Sequence, residues 1–389
     1  MSYYHVLARQ AEVRLRSAEG VFWLNRMETE LDNVRAALSW SIEGDPVAGL
    51  EIASSLLMFW QIRSHQLEGI DWLRRFLAVK AVQPNDAAPQ GGKLRRAKGL
   101  NALASLLIFT GGMREPRVFL EESLRLLKDE GEAAHPILAY TFLRLGNIAE
   151  VAAESRTLKR QALALAHEAG DLFCMAECHK DLALLELYHL RYREAEQNLD
   201  EAEVGFSALG DRDGMAVVRE VRGHCRMGVF QWDEALREYR ASQELFRSVG
   251  NRGYVNQTAL QAGWAHFWLG VPEAARAVWN GAFDQGLSTG DQFVILSSNL
   301  NRGLLDWVQG DRLSAMARLD AGLNVATQIG SVAERAFIHH LLGNVAVSAG
   351  QDQEAAAHYE SEQTISREEA QTWGITMGAC GQTRVALQR

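Results

Sequence analysis

The sequence is short of cysteine, of positive charge and of long apolar runs. Four cysteines in 389 residues do not make a disulfide framework, so we expect a reducing compartment. The net charge of −9 argues against a nucleic-acid backbone as a direct partner. The longest apolar run, SSLLMFW at 54–60, is too short to span a bilayer, and the N-terminus lacks the apolar core of a signal peptide. We therefore predict a cytoplasmic protein that binds neither nucleic acid nor a membrane.

Proline is scarce too, and its six positions mark helix starts and one loop. Four of them stand where the first turn of a helix is expected: Pro46, Pro116, Pro136 and Pro272. The other two lie in VQPNDAAPQGG at 82–92, which we predict to be a loop, and Gly111–Gly112 indicates a turn. No segment alternates with a period of two, so no sheet is predicted.

A glycine followed by Asp, Asn or Ser recurs every forty residues. These glycines are Gly170, Gly210, Gly250, Gly290 and Gly330. Glycine suits the left-handed position after a helix, and Asp, Asn or Ser suits the N-cap of the next helix. Each pair therefore predicts the end of one helix and the start of another.

Small and large residues keep the same forty-residue register. The first helix of each unit carries a small residue, at Ala183, Gly223, Gly263, Gly303 and Gly343. The second helix carries an alanine, at Ala195, Ala235, Ala275, Ala315 and Ala355. Four residues later stands a large residue: Leu199, Tyr239, Trp279, Leu319 or Tyr359. The small residues let two antiparallel helices approach, and the large one fills the groove beside them. Such pairs bury their faces only by stacking, which predicts an all-α solenoid.

The spacing resembles that of tetratricopeptide repeats. In one unit the matching residues are Gly263, Gly270, Ala275, Trp279 and Ala282. The resemblance covers roughly 93–389, and it implies a right-handed superhelical solenoid of antiparallel helix pairs whose first helices line a concave groove. The period of about forty residues exceeds the usual tetratricopeptide length, so HEAT-like stacking stays open as an alternative.

The N-terminal residues carry a second resemblance. The strings LDNVRAAL at 31–38, FW at 59–60, EG at 68–69 and WL at 72–73 are similar to the region after the ATPase in bacterial signal-transduction ATPases of the STAND class, which include regulators similar to the maltose activator. In that class the repeat array senses a small inducer or a protein. This chain has no GxxxxGK[ST] phosphate loop, so the ATPase domain is absent from it.

The two resemblances together predict a domain organisation. We expect N-terminal helical hairpins at 1–81, the loop at 82–92, and a tetratricopeptide-like solenoid at 93–389 whose last unit, TWGITMGACGQTRVALQR, is incomplete. The chain then looks like the sensor region of a longer regulator.

No cluster of residues indicates catalysis, a metal or a cofactor. Cys174 and Cys178 lie four apart on one predicted helix face, but no second pair of ligands follows, so we predict small core residues. His339 and His340 lack the partner pattern of a catalytic site. We therefore predict that the protein is not an enzyme and needs no cofactor or metal.

Aromatic and polar residues on the first helices are the candidates for ligand binding. Trp264 and Trp268 occupy columns that are mixed in the other units, which is typical of a groove, whereas Trp307 shares an apolar column, which favours core. The predicted groove residues are Trp264, Trp268, Gln261, Asn301, Arg302, Trp307 and His224. Aromatic rings beside amides suit a sugar ring, a peptide or a flat metabolite.

The leading hypothesis is a non-catalytic solenoid that senses a small-molecule or peptide effector, or a protein partner. Effector binding would shift the population between two superhelical curvatures. The alternative is a constitutive scaffold that binds a peptide or helix without switching. A homodimer is a third alternative, because an incomplete last unit would expose an apolar face.

Overall fold

The structure is a computed structural model that describes residues 2–83, 91–110, 114–368, 377–383 and 386. Most of the predicted loop (84–90), the Gly111–Gly112 turn and much of the predicted last unit (372–376, 384–385 and 387–389) lie outside the described residues. Throughout the described ranges the regular structure is helical and no strand occurs. The all-α prediction is confirmed.

The chain divides into two compact units, Met1–Val255 and Asn256–Arg389. The first unit begins with six helices, α1 to α6: Ser2–Arg14, Gly20–Thr29, Leu31–Gly44, Pro46–Ser55, Leu57–Ile62 and Gln66–Ala78. Eight more follow, α7 to α14: Gly92–Phe109, Arg114–Leu127, His135–Asn147, Ala152–Ala169, Leu172–Tyr188, Tyr192–Leu209, Arg212–Gly228 and Trp232–Val249. Short 3-10 helices stand at Lys80–Val82 and Gly131–Ala134.

The boundary between the units falls within α15, Arg252–Trp268. The second unit continues with α16 to α20: Pro272–Thr289, Gln292–Val308, Arg312–Gln328, Val332–Ser348 and Asp352–Glu368. In both units successive helices pack as pairs, α9 with α10, α11 with α12, α13 with α14, α17 with α18 and α19 with α20. The predicted solenoid of helix pairs is confirmed.

Each predicted glycine corner ends one helix and starts the next. Gly170, Gly210 and Gly290 have left-handed φ values of 64°, 71° and 71°. The following aspartates cap the next helix: Asp171 accepts a hydrogen bond from the Cys174 amide at 2.9 Å. This cap satisfies an amide that would otherwise lack a partner in the first turn.

The small and large columns form the core between paired helices. The alanines at 195, 235, 275, 315 and 355 are fully buried. A β-carbon on Gly343 would lie only 2.6 Å from the ring of Tyr359, and one on Gly303 would lie 3.0 Å from Leu319. The glycine column therefore exists because a large side chain of the second helix occupies the space of its β-carbon.

The turn inside each pair also needs a left-handed residue. Gly270, Gly310 and Gly350 supply it, with φ of 74°, 86° and 72°. The equivalent positions in the first unit are Leu190 and Phe230, with φ of 57° and 64°. Both side chains are exposed, so burial does not offset the backbone cost of this conformation.

Candidate ligand-binding surface

A run of aromatic rings leads from the core of the second unit to its surface. Trp279 of α16 is fully buried, and its ring centroid lies 5.4 Å from that of Trp264. Trp264 meets Phe267 edge-on at 5.7 Å, and Phe267 meets Trp268 at 5.3 Å. Trp268 is 56% exposed. The last turns of α15 thus present an indole whose neighbours are held by the core.

The other predicted groove residues lie in different settings. Gln261 is half-buried on α15, and Asn301 is buried on α17. Trp307 is half-buried, packs against the α17–α19 core and donates a hydrogen bond from Nε1 to Ser348 Oγ at 3.3 Å. His224, in the first unit, meets Tyr239 edge-on at 5.5 Å. Of the predicted residues, Trp264 and Trp268 belong to one run of ring contacts, joined through Phe267.

Arg302 occupies an electrostatically unusual position. Its guanidinium lies 4.3 Å from the ring centroid of Phe283, and its Nε and one terminal nitrogen are buried without a hydrogen-bond partner in the described part of the chain. Burial and the charge of Arg318 lower the pKa of Arg302. One turn further along α17, Asp306 is already engaged, because Arg276 and Arg318 each bind it at 2.6 Å.

The first unit contains a buried ionic network that was not predicted from the sequence. Asp181 accepts a hydrogen bond from Asn147 at 2.8 Å and lies 3.5 Å from Lys180 and 3.7 Å from Arg144. Lys180 also binds Glu177 at 2.6 Å. Cations and carboxylates in this network compensate one another, which is the arrangement expected of buried charge.

The connection between α1 and α2 reaches the helix pairs of the same unit. Arg16 donates to the Tyr140 hydroxyl at 2.9 Å and stacks over Phe173 at 4.5 Å. The Ala18 amide donates to the Leu209 carbonyl oxygen at 3.1 Å. No local sequence pattern indicates these contacts, because the partners are far apart along the chain.

Residues considered for metal binding are packed in the interior. Cys174 and Cys178 are buried in a core cluster with Ala139 and Leu143. Across the described residues, no three His, Cys, Asp or Glu side chains gather in a way that could hold a metal ion. The same part of the chain has no helix with the length and apolarity needed to cross a membrane.

Known proteins resemble this chain only over a short stretch of sequence but over most of its fold. No protein-family profile matches the sequence. Putative HTH-type transcriptional regulators Mb0914c of Mycobacterium bovis and Rv0890c of Mycobacterium tuberculosis are 47% identical over 53 residues, which is 13% of this chain and 6% of each regulator. The chain therefore matches only a small part of those relatives.

Solved structures resemble the chain over much greater lengths. A Rap protein in complex with competence and sporulation factor has a TM-score of 0.64 at 13% identity, over 95% of this chain and 99% of that one. The STAND protein PH0952 of Pyrococcus horikoshii, which has a tetratricopeptide repeat sensor, has a TM-score of 0.51 at 14% identity, over 77% and 54%. At these identities the likeness shows the fold, which is that of tetratricopeptide-type helical repeats.

Proposed function

We propose that this chain is a non-catalytic, effector-sensing solenoid from a STAND-type regulator. The effector, a small molecule or a peptide, binds on the face formed by the first helices, with Trp268 as its main aromatic contact. In this proposal 1–81 forms the N-terminal hairpins that lead into the repeats of 93–389, and an ATPase domain belongs to the longer protein.

The observation that carries the proposal is the run of rings from buried Trp279 to exposed Trp268. A surface indole is costly to leave in water and is enriched at binding sites. Here the ring of Phe267 contacts the indole edge-on, and Trp264 contacts Phe267 in turn, so part of the side-chain freedom of Trp268 is already restricted before a ligand packs on it.

Two likenesses support the sensing part of the proposal. The Rap neighbour was solved in complex with competence and sporulation factor, and PH0952 has a tetratricopeptide repeat sensor. The short match to HTH-type regulators agrees with a regulatory setting. Effector binding would then act by stabilising one arrangement of helix pairs over another.

A thermal-shift screen of the full chain tests the proposal. Sugars, nucleotides, amino-acid derivatives and short peptides are added as separate classes, and both the melting temperature and the Trp fluorescence are recorded. We expect one class to raise the midpoint, since a ligand at 100 times its Kd stabilises the folded state by about 2.7 kcal/mol. Silence in every class would contradict binding of a small effector.

A further inference from the structure

Arg302 and Arg222 occupy the same position of the repeat but have opposite surroundings. They stand two repeat periods apart, on α17 and α13, and both are buried, at 9% and 7% exposure. The surroundings of the two guanidinium groups can therefore be compared directly, position by position.

Arg222 is fully paired by carboxylates of the preceding helix, α12. Its Nε donates to Glu196 at 3.2 Å, and its terminal nitrogens donate to Asp200 at 2.9 Å and to Glu203 at 2.7 Å. Burial alone would lower the pKa of Arg222, but the hydrogen bond to Glu203 and the charges of Glu203 and Glu196 raise it.

Arg302 has no carboxylate at any of the three equivalent positions. Two periods after Glu196, Asp200 and Glu203 stand Arg276, Asn280 and Phe283 on α16. None of the three accepts a hydrogen bond from Arg302, and Phe283 offers it only the face of a ring. Burial and Arg318 lower the pKa of Arg302, the opposite direction to Arg222.

Other groups near Arg302 leave positive charge in excess. Arg276 and Arg318 share the carboxylate of Asp306, and Asp284 contributes charge but forms no ion pair with Arg302 within the described residues. Ser298, one turn earlier on α17, is buried and its Oγ also lacks a partner there. A buried, unpaired guanidinium is unfavourable unless an anion joins it.

We propose that Arg302, on the side of α17 that faces Phe283 of α16, binds an anionic group of the effector, either a carboxylate or a phosphate. The anion stands in for the carboxylates that surround Arg222, and the guanidinium donates charge-assisted hydrogen bonds to it. This inference rests on the proposed function and names the chemical class of the ligand.

Hydrogen exchange of the full chain tests the anion site. Inorganic phosphate, acetate and chloride are compared at equal ionic strength, and exchange of the α16 and α17 amides is followed. Phosphate or acetate at ten times its Kd is expected to slow exchange by local opening about tenfold, while chloride leaves it unchanged. The more effective of the two anions distinguishes a phosphate ligand from a carboxylate ligand.

Two variants separate binding from general stabilisation. Arg302→Leu should abolish the anion effect. Phe283→Glu places a carboxylate at the position equivalent to Glu203, so it should slow exchange without added anion and remove the response to anions. The inference is overturned if no anion slows exchange in the unaltered protein, or if Arg302→Leu keeps the full effect.

A third variant keeps this inference distinct from the proposed function. Trp268→Ala should retain the response to phosphate or acetate, because Trp268 is on α15 and outside the anion site. If no anion slows amide exchange while a screened ligand still binds through Trp268, only the anion inference is wrong. If anions act through Arg302 but no class of ligand binds, only the effector proposal falls.

Discussion

The indole of Trp279 occupies the space in which Gly263 would carry a β-carbon, and its Nε1 donates a hydrogen bond to the Leu260 carbonyl oxygen at 3.0 Å. Backbone and ring lie so close that a larger residue at this point of the first helix would force the ring or the backbone to shift. The rings of Tyr359 and Tyr239 likewise occupy the space in which Gly343 and Gly223 would carry a β-carbon.

Gly263→Ala should therefore destabilise the second unit. Overpacking costs about 1–3 kcal/mol, and this outweighs the gain of about 0.5–1 kcal/mol that alanine brings to a helix. Gly281→Ala on α16 is the matched control, since nothing lies within 4 Å of its β-carbon, and it should be stabilising. Denaturant unfolding measures both changes; equal effects of the two variants would refute the packing argument.

Leu190→Gly should stabilise the first unit. Leu190 has φ of 57° and an exposed side chain, so the substitution relieves the left-handed backbone at little packing cost. That conformation costs roughly 1–2 kcal/mol for a non-glycine residue, and the extra freedom of glycine in the unfolded chain offsets part of it. We expect a gain of up to about 1 kcal/mol in the free energy of unfolding.

The reverse change serves as the control for the turn. Gly270 has φ of 74° and open space around it, so Gly270→Leu changes the backbone term and little else. It should lower the free energy of unfolding by about 1 kcal/mol. If Leu190→Gly instead lowered the free energy of unfolding, the leucine side chain would have to stabilise the fold by more than its left-handed backbone costs.

Asp211 and Asp213 should each contribute less to the stability of the first unit as the pH rises from about 4 to about 7. Burial and the neighbouring Asp213 raise the pKa of Asp211 to about 7, and burial raises the pKa of Asp213 to about 6. Over that range the unfolded chain has released these protons while the folded chain still holds them, so a higher pH favours unfolding.

Asp211→Asn should weaken this pH dependence. Asp211 Oδ1 caps α13 by accepting hydrogen bonds from the amides of Asp213 and Gly214, while Oδ2 is buried and unpartnered in the described part of the chain. Asparagine keeps the accepting oxygen and removes the charge. The measurement is the free energy of unfolding at pH 4.5 and pH 8, and an unchanged difference in the variant would exclude Asp211 as the source.

The fold could be predicted from the sequence because its repeat is regular. The forty-residue period carries both the glycine corners, such as Gly170 with Asp171, and the packed pairs, such as Gly263 with Trp279. These depend on neighbours within one or two helices, so columns of residue types suffice to find them. Leu190 and Phe230 stand where the other units have Gly270, Gly310 and Gly350, and their left-handed conformation was not predicted.

The contacts that were not predicted depend on which side chains face one another across helices. Arg16 contacts Tyr140 over a separation that no local pattern encodes. Arg302 was predicted as a groove residue, but its exposure and partners depend on α16. One signal was present in the sequence: carboxylates at 196, 200 and 203 become Arg276, Asn280 and Phe283 two periods later.

The most direct test of the proposed function compares Trp268→Ala with Trp40→Ala. Trp40 is similarly exposed, at 58% against 56%, but lies on α3 in the first unit. The measurement is the Kd of the ligand class found in the screen, by titration of the intrinsic fluorescence. We predict that Trp268→Ala weakens binding about tenfold to a hundredfold and Trp40→Ala leaves it unchanged. Equal affinity of the unaltered chain and Trp268→Ala would contradict the assignment of this surface.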